Sequence, residues 1–359
     1  MRRLITAGAA VAALLLPACG ASSDGTDPNP VPQPPGAAVP LRELAEARGL
    51  GVGSAVDRSF SLAGVAGVTF RDVLAREFDV LTPENDMKHV RIHPAQDTYD
   101  LERADALVDF AETHDMRVRG HTLVWHRQLA DWLTDGSWTA EEAEALMRDH
   151  IATVVGHYRG RLASWDVVNE AVDDDGSLRS TFWADHIGPG YVEIAFREAR
   201  QADPEVELFY NDYGILRRNP KSDAVYALLS DLLQRGVPVD GIGFQGHLVL
   251  GTAPSQAELA ANLQRFADLG LKIQITELDI RIPMPASAAE LEQQAQEYVR
   301  VVDACLEQPA CEMIVTWGFT DADSWIPNAF PGYGAALLFD ERYEPKPAYW
   351  AVNEELAGS

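Results

Sequence analysis

Positive charge is scarce in this chain: 29 Lys and Arg stand against 55 Asp and Glu in 359 residues, a net of −26. So acidic a surface repels phosphate backbones, which excludes nucleic acid as the partner and favours a neutral or weakly charged one. Cysteine is nearly missing, with three residues and no metal-finger spacing. No run of 18 apolar residues offers a membrane-spanning helix. No Gly-x-Gly-x-x-Gly follows the first apolar run of the core and no Gly-x-x-x-x-Gly-Lys occurs, so dinucleotide and P-loop readings fall. What is present is 47% apolar and 23% charged residues, a composition able to build a large core.

The first forty residues read as targeting rather than fold. Arg2 and Arg3 precede an apolar run, Leu4 to Leu16, broken only by Thr6, which has the length of a signal-peptide core. It ends in Leu16-Pro17-Ala18-Cys19, a lipobox-like sequence in which Cys19 would be acylated; ordinary secretion is the alternative. The expected leader is 1–19. A Pro/Gly-rich linker at 20–40 cannot bury a core and favours extended chain. Cys305 and Cys311 remain as an even pair flanking the short stretch Leu306 to Ala310. A disulfide closing that turn suits an oxidising compartment, and two free thiols are the other reading.

From Leu41 onward, eight short apolar runs alternate with amphipathic segments such as Ala140 to Tyr158 and Ala288 to Leu306. The runs begin near Gly51, Phe78, Val118, Ser164, Glu207, Gly241, Lys272 and Met313. Roughly 40 residues per unit suits strand, helix and two loops, so the expected fold is α/β, a closed (β/α)8 TIM barrel over 41–359. Polar residues gather after these runs: Glu84-Asn85 and Lys88, His121 with Trp125, Asn169-Glu170, Tyr213, Gln245 with His247, Glu277 with Asp279, and Trp317. One such residue is ordinarily a helix cap. Seven successive strands doing the same define a site, because strand ends converge on one face of a barrel.

Glu170 and Glu277 fall three strand positions apart in a ring of eight, nearly across its mouth. Paired carboxylates suit glycoside cleavage, one protonating the leaving oxygen while the other attacks or activates water. Asn169 is placed to bind a sugar hydroxyl, and an Asp279–His247–Glu277 chain would orient Glu277 and keep it ionised. Trp125, Tyr213, Trp317 and Trp325 offer stacking surfaces for sugar rings. His89 and His93 have i, i+4 spacing, but Pro94 follows and the stretch reads as loop, so no metal and no cofactor are expected.

These motifs resemble glycoside hydrolase family 10, the endo-1,4-β-xylanases, from about Leu41 to Leu356. The resemblance rests on Leu81-Thr82-Pro83-Glu84-Asn85, Gly120-His121-Thr122-Leu123-Val124-Trp125-His126, Trp165-Asp166-Val167-Val168-Asn169-Glu170, Tyr210-Asn211-Asp212-Tyr213, Gly243-Phe244-Gln245-Gly246-His247, Ile275-Thr276-Glu277-Leu278-Asp279, Trp317-Gly318 and Asp323-Ser324-Trp325. It implies a retaining mechanism on xylan and xylo-oligosaccharides, with Glu170 as acid/base and Glu277 as nucleophile. It also implies that Glu84, Asn85, Lys88, His121, Trp125, Gln128, Asn169, Gln245, His247, Trp317 and Trp325 line sugar subsites, and that Cys305 pairs with Cys311. The sequence departs from the family at Arg127-Gln128-Leu129-Ala130, at His89, and at Ile326 to Ala336, an insertion-like loop. A related β-1,4-glucanase or mannanase is the rival enzyme, and a non-catalytic sugar-binding lipoprotein the rival class. A monomer is expected, touching membrane only through an acylated Cys19.

Overall fold

The computed structural model of the chain describes residues 39–358. The expected leader with Cys19, and the linker up to residue 38, lie outside the described residues.

Eight parallel strands close into a barrel: β1 (Gly51–Val56), β2 (Val80–Pro83), β3 (Arg117–Val124), β4 (Ser164–Asn169), β5 (Glu207–Asp212), β6 (Gly241–Phe244), β8 (Lys272–Pro283) and β9 (Cys311–Thr316). Each pairs with its neighbour in that order, and β9 returns to β1 to shut the ring. Two short strands lie off the barrel. β7 (His247–Val249) pairs parallel with the end of β8, and β10 (Tyr333–Gly334) pairs antiparallel with it. β8 therefore runs well beyond the stretch expected from its apolar run, and Glu277 and Asp279 lie within it rather than after it. Residues 326–336 are not a featureless loop: a helical turn at Ile326–Ala329 and β10 order them. The stretch after Lys88 is likewise a helical turn, His89–Ile92, where loop was expected.

The outer helices start where side chains satisfy their free N–H groups. Thr139 with Glu142, Ser255 with Glu258, and Ser287 with Glu290 each form a capping box. Their apolar residues fall on one face; Tyr191, Val192, Ala195, Phe196 and Ala199 of one helix are all buried. Glu77 ties the two ends of the fold together, accepting from the Leu41 backbone at 3.1 Å and the Tyr349 hydroxyl at 3.0 Å.

The barrel interior beneath the site is polar. Arg119 on β3 makes a two-pronged, fully buried ion pair with Asp166 on β4 and donates to Gln274 Oε1 on β8 at 2.7 Å. Removing one partner from such a pair leaves a buried charge uncompensated, so the trio rigidifies the floor. His121 Nδ1 donates to the same Asp166 at 2.7 Å, which aims the rest of its ring upward. Cys305 and Cys311 are disulfide-bonded, Cα to Cα 5.3 Å, between the helix Ala288–Leu306 and β9.

Candidate active site

A cleft of about 790 Å³ opens at the carboxyl ends of the strands. Glu170 and Glu277 both line it, with Asn169, Gln245 and His247 beside them. Glu84, Asn85, Lys88, His121, Trp125, Gln128, Tyr213, Trp317 and Trp325 complete its walls together with residues the sequence did not single out. Asp279 is fully buried behind His247.

The two glutamates are joined by one hydrogen-bond network whose centre is Asn211 on β5. Thr276 Oγ1 donates to Asn211 Oδ1 at 2.7 Å, which fixes the amide so that Nδ2 faces Glu277 Oε1 at 2.7 Å and Asn169 Oδ1 at 2.9 Å. Gln245 Nε2 then bridges Asn169 Oδ1 at 3.3 Å and Glu170 Oε1 at 2.9 Å. Asn211 needs glycine opposite it: a Cβ on Gly243 would stand 2.3 Å from its Oδ1.

Glu277 is held as an anion. His247 Nε2 donates to its Oε2 at 3.0 Å, while His247 Nδ1 donates to Asp279 at 2.9 Å. Burial alone would push Glu277 upward. The His247 hydrogen bond, the nearby His121 and His247 rings and the Asn211 bond outweigh it and hold the carboxyl at about 2. Burial likewise pulls His247 down, but its two carboxylate partners raise it to about 10, so it stands as an imidazolium between them. Trp325 Nε1 donates to Asp279 at 2.8 Å, locking an aromatic wall of the cleft to the same chain.

Glu170 is held differently. Its backbone is in the left-handed region, φ 58°, a conformation that costs a non-glycine residue about 1–3 kcal/mol. Two bonds to its backbone hold it there: its N–H donates to Asn211 O at 2.9 Å and Arg179 Nε donates to its carbonyl at 3.0 Å. On the side chain, Oε1 accepts from Gln245 and from Asn169 at 3.2 Å, whereas Oε2 lies 3.7 Å from His126 Nδ1, too far for a hydrogen bond. Arg127 Nε donates to His126 Nε2 at 3.2 Å, so neutral His126 carries its proton on Nδ1, toward Glu170. Burial lowers His126 to about 4.

At the Glu84 side of the cleft, Lys88 lies 5.0 Å from the Trp125 ring centre and 5.9 Å from that of Trp317, and donates to Asn85 Oδ1 at 3.0 Å. Gln128 also reaches Asn85, at 3.4 Å. Burial and then the charge of Asp57 raise Glu84 to about 8, with Lys88 opposing them. A smaller hollow of about 380 Å³ adjoins here, walled by Asp57, Glu84, Asp323 and Trp325. Trp317 is only 5% exposed, an edge of the cleft rather than an open platform. Tyr213 is half-buried, its hydroxyl accepting from Arg179 Nη2 at 3.0 Å and its ring beneath Lys221 Nζ at 3.1 Å.

Away from the cleft, buried His89, His93 and His150 gather with their ring nitrogens within 4.8 Å of one another. The sequence reading set His89 and His93 aside and missed His150. His93 Nε2 donates to Gln96 O at 3.0 Å, and the His93 and His150 Nδ1 atoms lie 3.3 Å apart. The Ala130 N–H donates to His89 Nδ1 at 3.3 Å, so neutral His89 holds its proton on Nε2 and has no lone pair left for an ion. Burial lowers all three. As bonded, the cluster is a stack of neutral imidazoles.

His126 and Arg281 also line the cleft, and Asn211 and Arg179 bond its two glutamates, without having been singled out. The motif around Tyr213 contains Asn211, but its link to both glutamates appears only in the register pairing with Asn169 on the neighbouring strand. Arg179 carries no such signal; it reaches back from a Gly/Ser-containing turn nine residues after Glu170.

A parallel barrel whose strand ends bring two unlike glutamates to an aromatic-walled cleft defines the class of barrel glycoside hydrolases. The sequence profile of Glycosyl hydrolase family 10 matches residues 40–355, and the chain belongs to that family. It is 48% identical over 318 residues to endo-1,4-β-xylanase B of Thermotoga neapolitana, covering 88% of this chain and 91% of that protein. Xylanase 10B of Thermotoga petrophila RKU-1, solved in complex with xylobiose, superposes with a TM-score of 0.87 at 48% identity, over 89% of this chain and 98% of that one. An endo-1,4-β-xylanase of Penicillium canescens gives 0.86 at 38% identity, again over 89% and 98%.

Proposed function

We propose that this chain is an endo-acting xylanase that cleaves internal β-1,4 linkages of xylan with retention of configuration. Glu277 is the nucleophile and Glu170 the acid/base. The observation that carries this assignment is the asymmetry of their surroundings: Glu277 is clamped as an anion by His247 and Asn211, whereas one oxygen of Glu170 accepts no hydrogen bond among the described residues.

In the first step a Glu277 oxygen attacks the anomeric carbon, and Glu170 gives its proton to the departing glycosidic oxygen. The bond to the leaving sugar breaks and a glycosyl ester forms on Glu277. In the second step Glu170, now a carboxylate, takes a proton from water, whose oxygen displaces Glu277 from the same carbon. Asn169 bonds the sugar hydroxyl next to that carbon. His247 and Asn211 fix Glu277 and receive it back as a carboxylate after each turnover. Lys88, Asn85, Glu84, His121, Gln128 and Gln245 bind ring hydroxyls, and Trp125, Trp317, Trp325 and Tyr213 bound the rings.

Reducing-end release from xylan, carboxymethylcellulose and mannan tests the substrate; fastest release from either of the last two rejects xylan. The segment before the barrel supports export, either as a lipoprotein acylated at Cys19 or by secretion, and the enzyme acts as a monomer. Feeding cells a labelled fatty acid separates the two routes: a chain that takes up no label, or whose labelling Cys19→Ala does not change, rejects acylation at Cys19.

A further inference from the structure

Beyond the barrel, β8 alternates: Leu278, Ile280 and Ile282 enter the apolar core, and Asp279 and Arg281 take the other face. Asp279 meets His247, while Arg281 reaches the cleft wall. Its guanidinium carbon lies 3.8 Å from the centre of the Phe330 ring and 5.8 Å from that of Tyr333. Its Nε is buried and bonds nothing, and the guanidinium has no hydrogen bond or ion pair among the described residues. Carboxylates are plentiful in this chain, and other arginines take them: Arg119 with Asp166, Arg148 with Glu198, Arg161 with Glu112. A half-buried cation left unpaired is costly, and here aromatic stacking alone supports it. Arg281 is thus a charge held flat and oriented, with its donors uncommitted, on the wall of a substrate cleft.

The xylan backbone is neutral, so a charge of this kind has nothing ionic to meet on an unbranched chain. A uronic-acid branch supplies a carboxylate, the planar anion that a guanidinium fork matches. Resting on the xylanase reading above, we propose that Arg281, braced by Phe330, receives the carboxylate of a uronic-acid branch and so makes this enzyme favour acidic over neutral branches of the same shape.

The test uses three xylo-oligosaccharides of one length: unbranched, carrying one glucuronic acid, and the same branched compound reduced at its carboxyl to neutral glucose. The expected result is a kcat/KM for the acidic compound about tenfold or more above the reduced one, as a charged hydrogen bond gives, with the ratio shrinking as salt is added. Arg281→Gln brings the ratio to near one, and Arg281→Lys keeps part of it. A ratio of one in the unaltered enzyme overturns the proposal without any variant. A ratio unchanged in Arg281→Gln overturns it too, and leaves Arg281 bonding neutral hydroxyls. If the unbranched compound is not cleaved at all, the xylanase reading itself fails, and this proposal with it.

Discussion

Glu277 and Glu170 occupy the same cleft and share one hydrogen-bond network, yet the protein holds them by opposite means. Glu277 lies inside a twelve-residue strand with both oxygens bonded, one to an imidazolium and one to an amide that Thr276 has already oriented. Glu170 stands just past the end of its strand in a left-handed backbone, held through its main chain, with only one oxygen hydrogen-bonded among the described residues. The first arrangement keeps a charge and a position constant. The second keeps a position and leaves the proton free to move. A double-displacement mechanism needs both, because its nucleophile must return unprotonated while its acid/base changes state twice per turnover.

The largest expected effect falls on the clamped side. Glu277→Ala removes the group placed to form the covalent intermediate, and hydrolysis of xylan should fall by roughly 10^5-fold or more with the thermal transition retained. Near-normal release of reducing ends would end the assignment of nucleophile. Glu170→Ala should cost about 10²–10⁴ in hydrolysis of xylan. The loss in the first step should depend on the leaving group: an aryl xyloside with an acidic phenol needs little protonation and should still form the glycosyl-enzyme, whereas its breakdown should be slow. Equal losses for xylan and the activated substrate, in a pre-steady-state burst experiment, would contradict the acid/base role.

The comparison also shows what could be read from sequence. The barrel was legible because parallel strands buried on both faces read as continuous apolar runs. The cleft was legible because polar residues recur where those runs stop. The internal wiring was not. Asn211 sits within a motif that displays Tyr213 more conspicuously, and only the pairing of β4 with β5 shows that it joins both glutamates. Arg119 and Asp166 look like ordinary polar residues inside strands until the pairing of β3 with β4 brings them together. β8 was read short because its apolar run gives way at Glu277, although the backbone continues to pair with β7 and β10 through Pro283. His89 looked like loop because Pro94 ends the pattern, and a single helical turn leaves no periodicity to read.

A mid-sized effect is expected at His247. Its hydrogen bond is the foremost of the interactions that hold Glu277 at about 2 against burial. His247→Asn removes the imidazolium, so the carboxyl rises and is protonated at a higher pH. The sign follows: hydrolysis needs the carboxylate, and the acid limb of the kcat/KM profile should move upward by about one unit or more, with rate loss of about 10–100-fold near neutrality. An acid limb that stays in place while the rate falls would mean that His247 acts by packing alone.

The smallest effect separates the two modes of support most sharply, because Arg179 is to Glu170 what His247 is to Glu277 but works through the backbone. Its guanidinium donates to the carbonyls of Glu170 at 3.0 Å and Val172 at 3.2 Å and to the Tyr213 hydroxyl at 3.0 Å. Lysine offers one point charge in place of that fork. Arg179→Lys should therefore loosen the left-handed turn and lower kcat on xylan by about three- to tenfold, with KM nearly unchanged. The aryl substrate that bypasses Glu170 in the first step should lose less in its burst phase. Unlike His247→Asn, the substitution should leave the acid limb where it is, since nothing bonded to Glu277 has changed. A shift of that limb in Arg179→Lys would show that the two carboxylates are coupled through Asn211 more tightly than their separate supports suggest, and the division of labour between them would have to be redrawn.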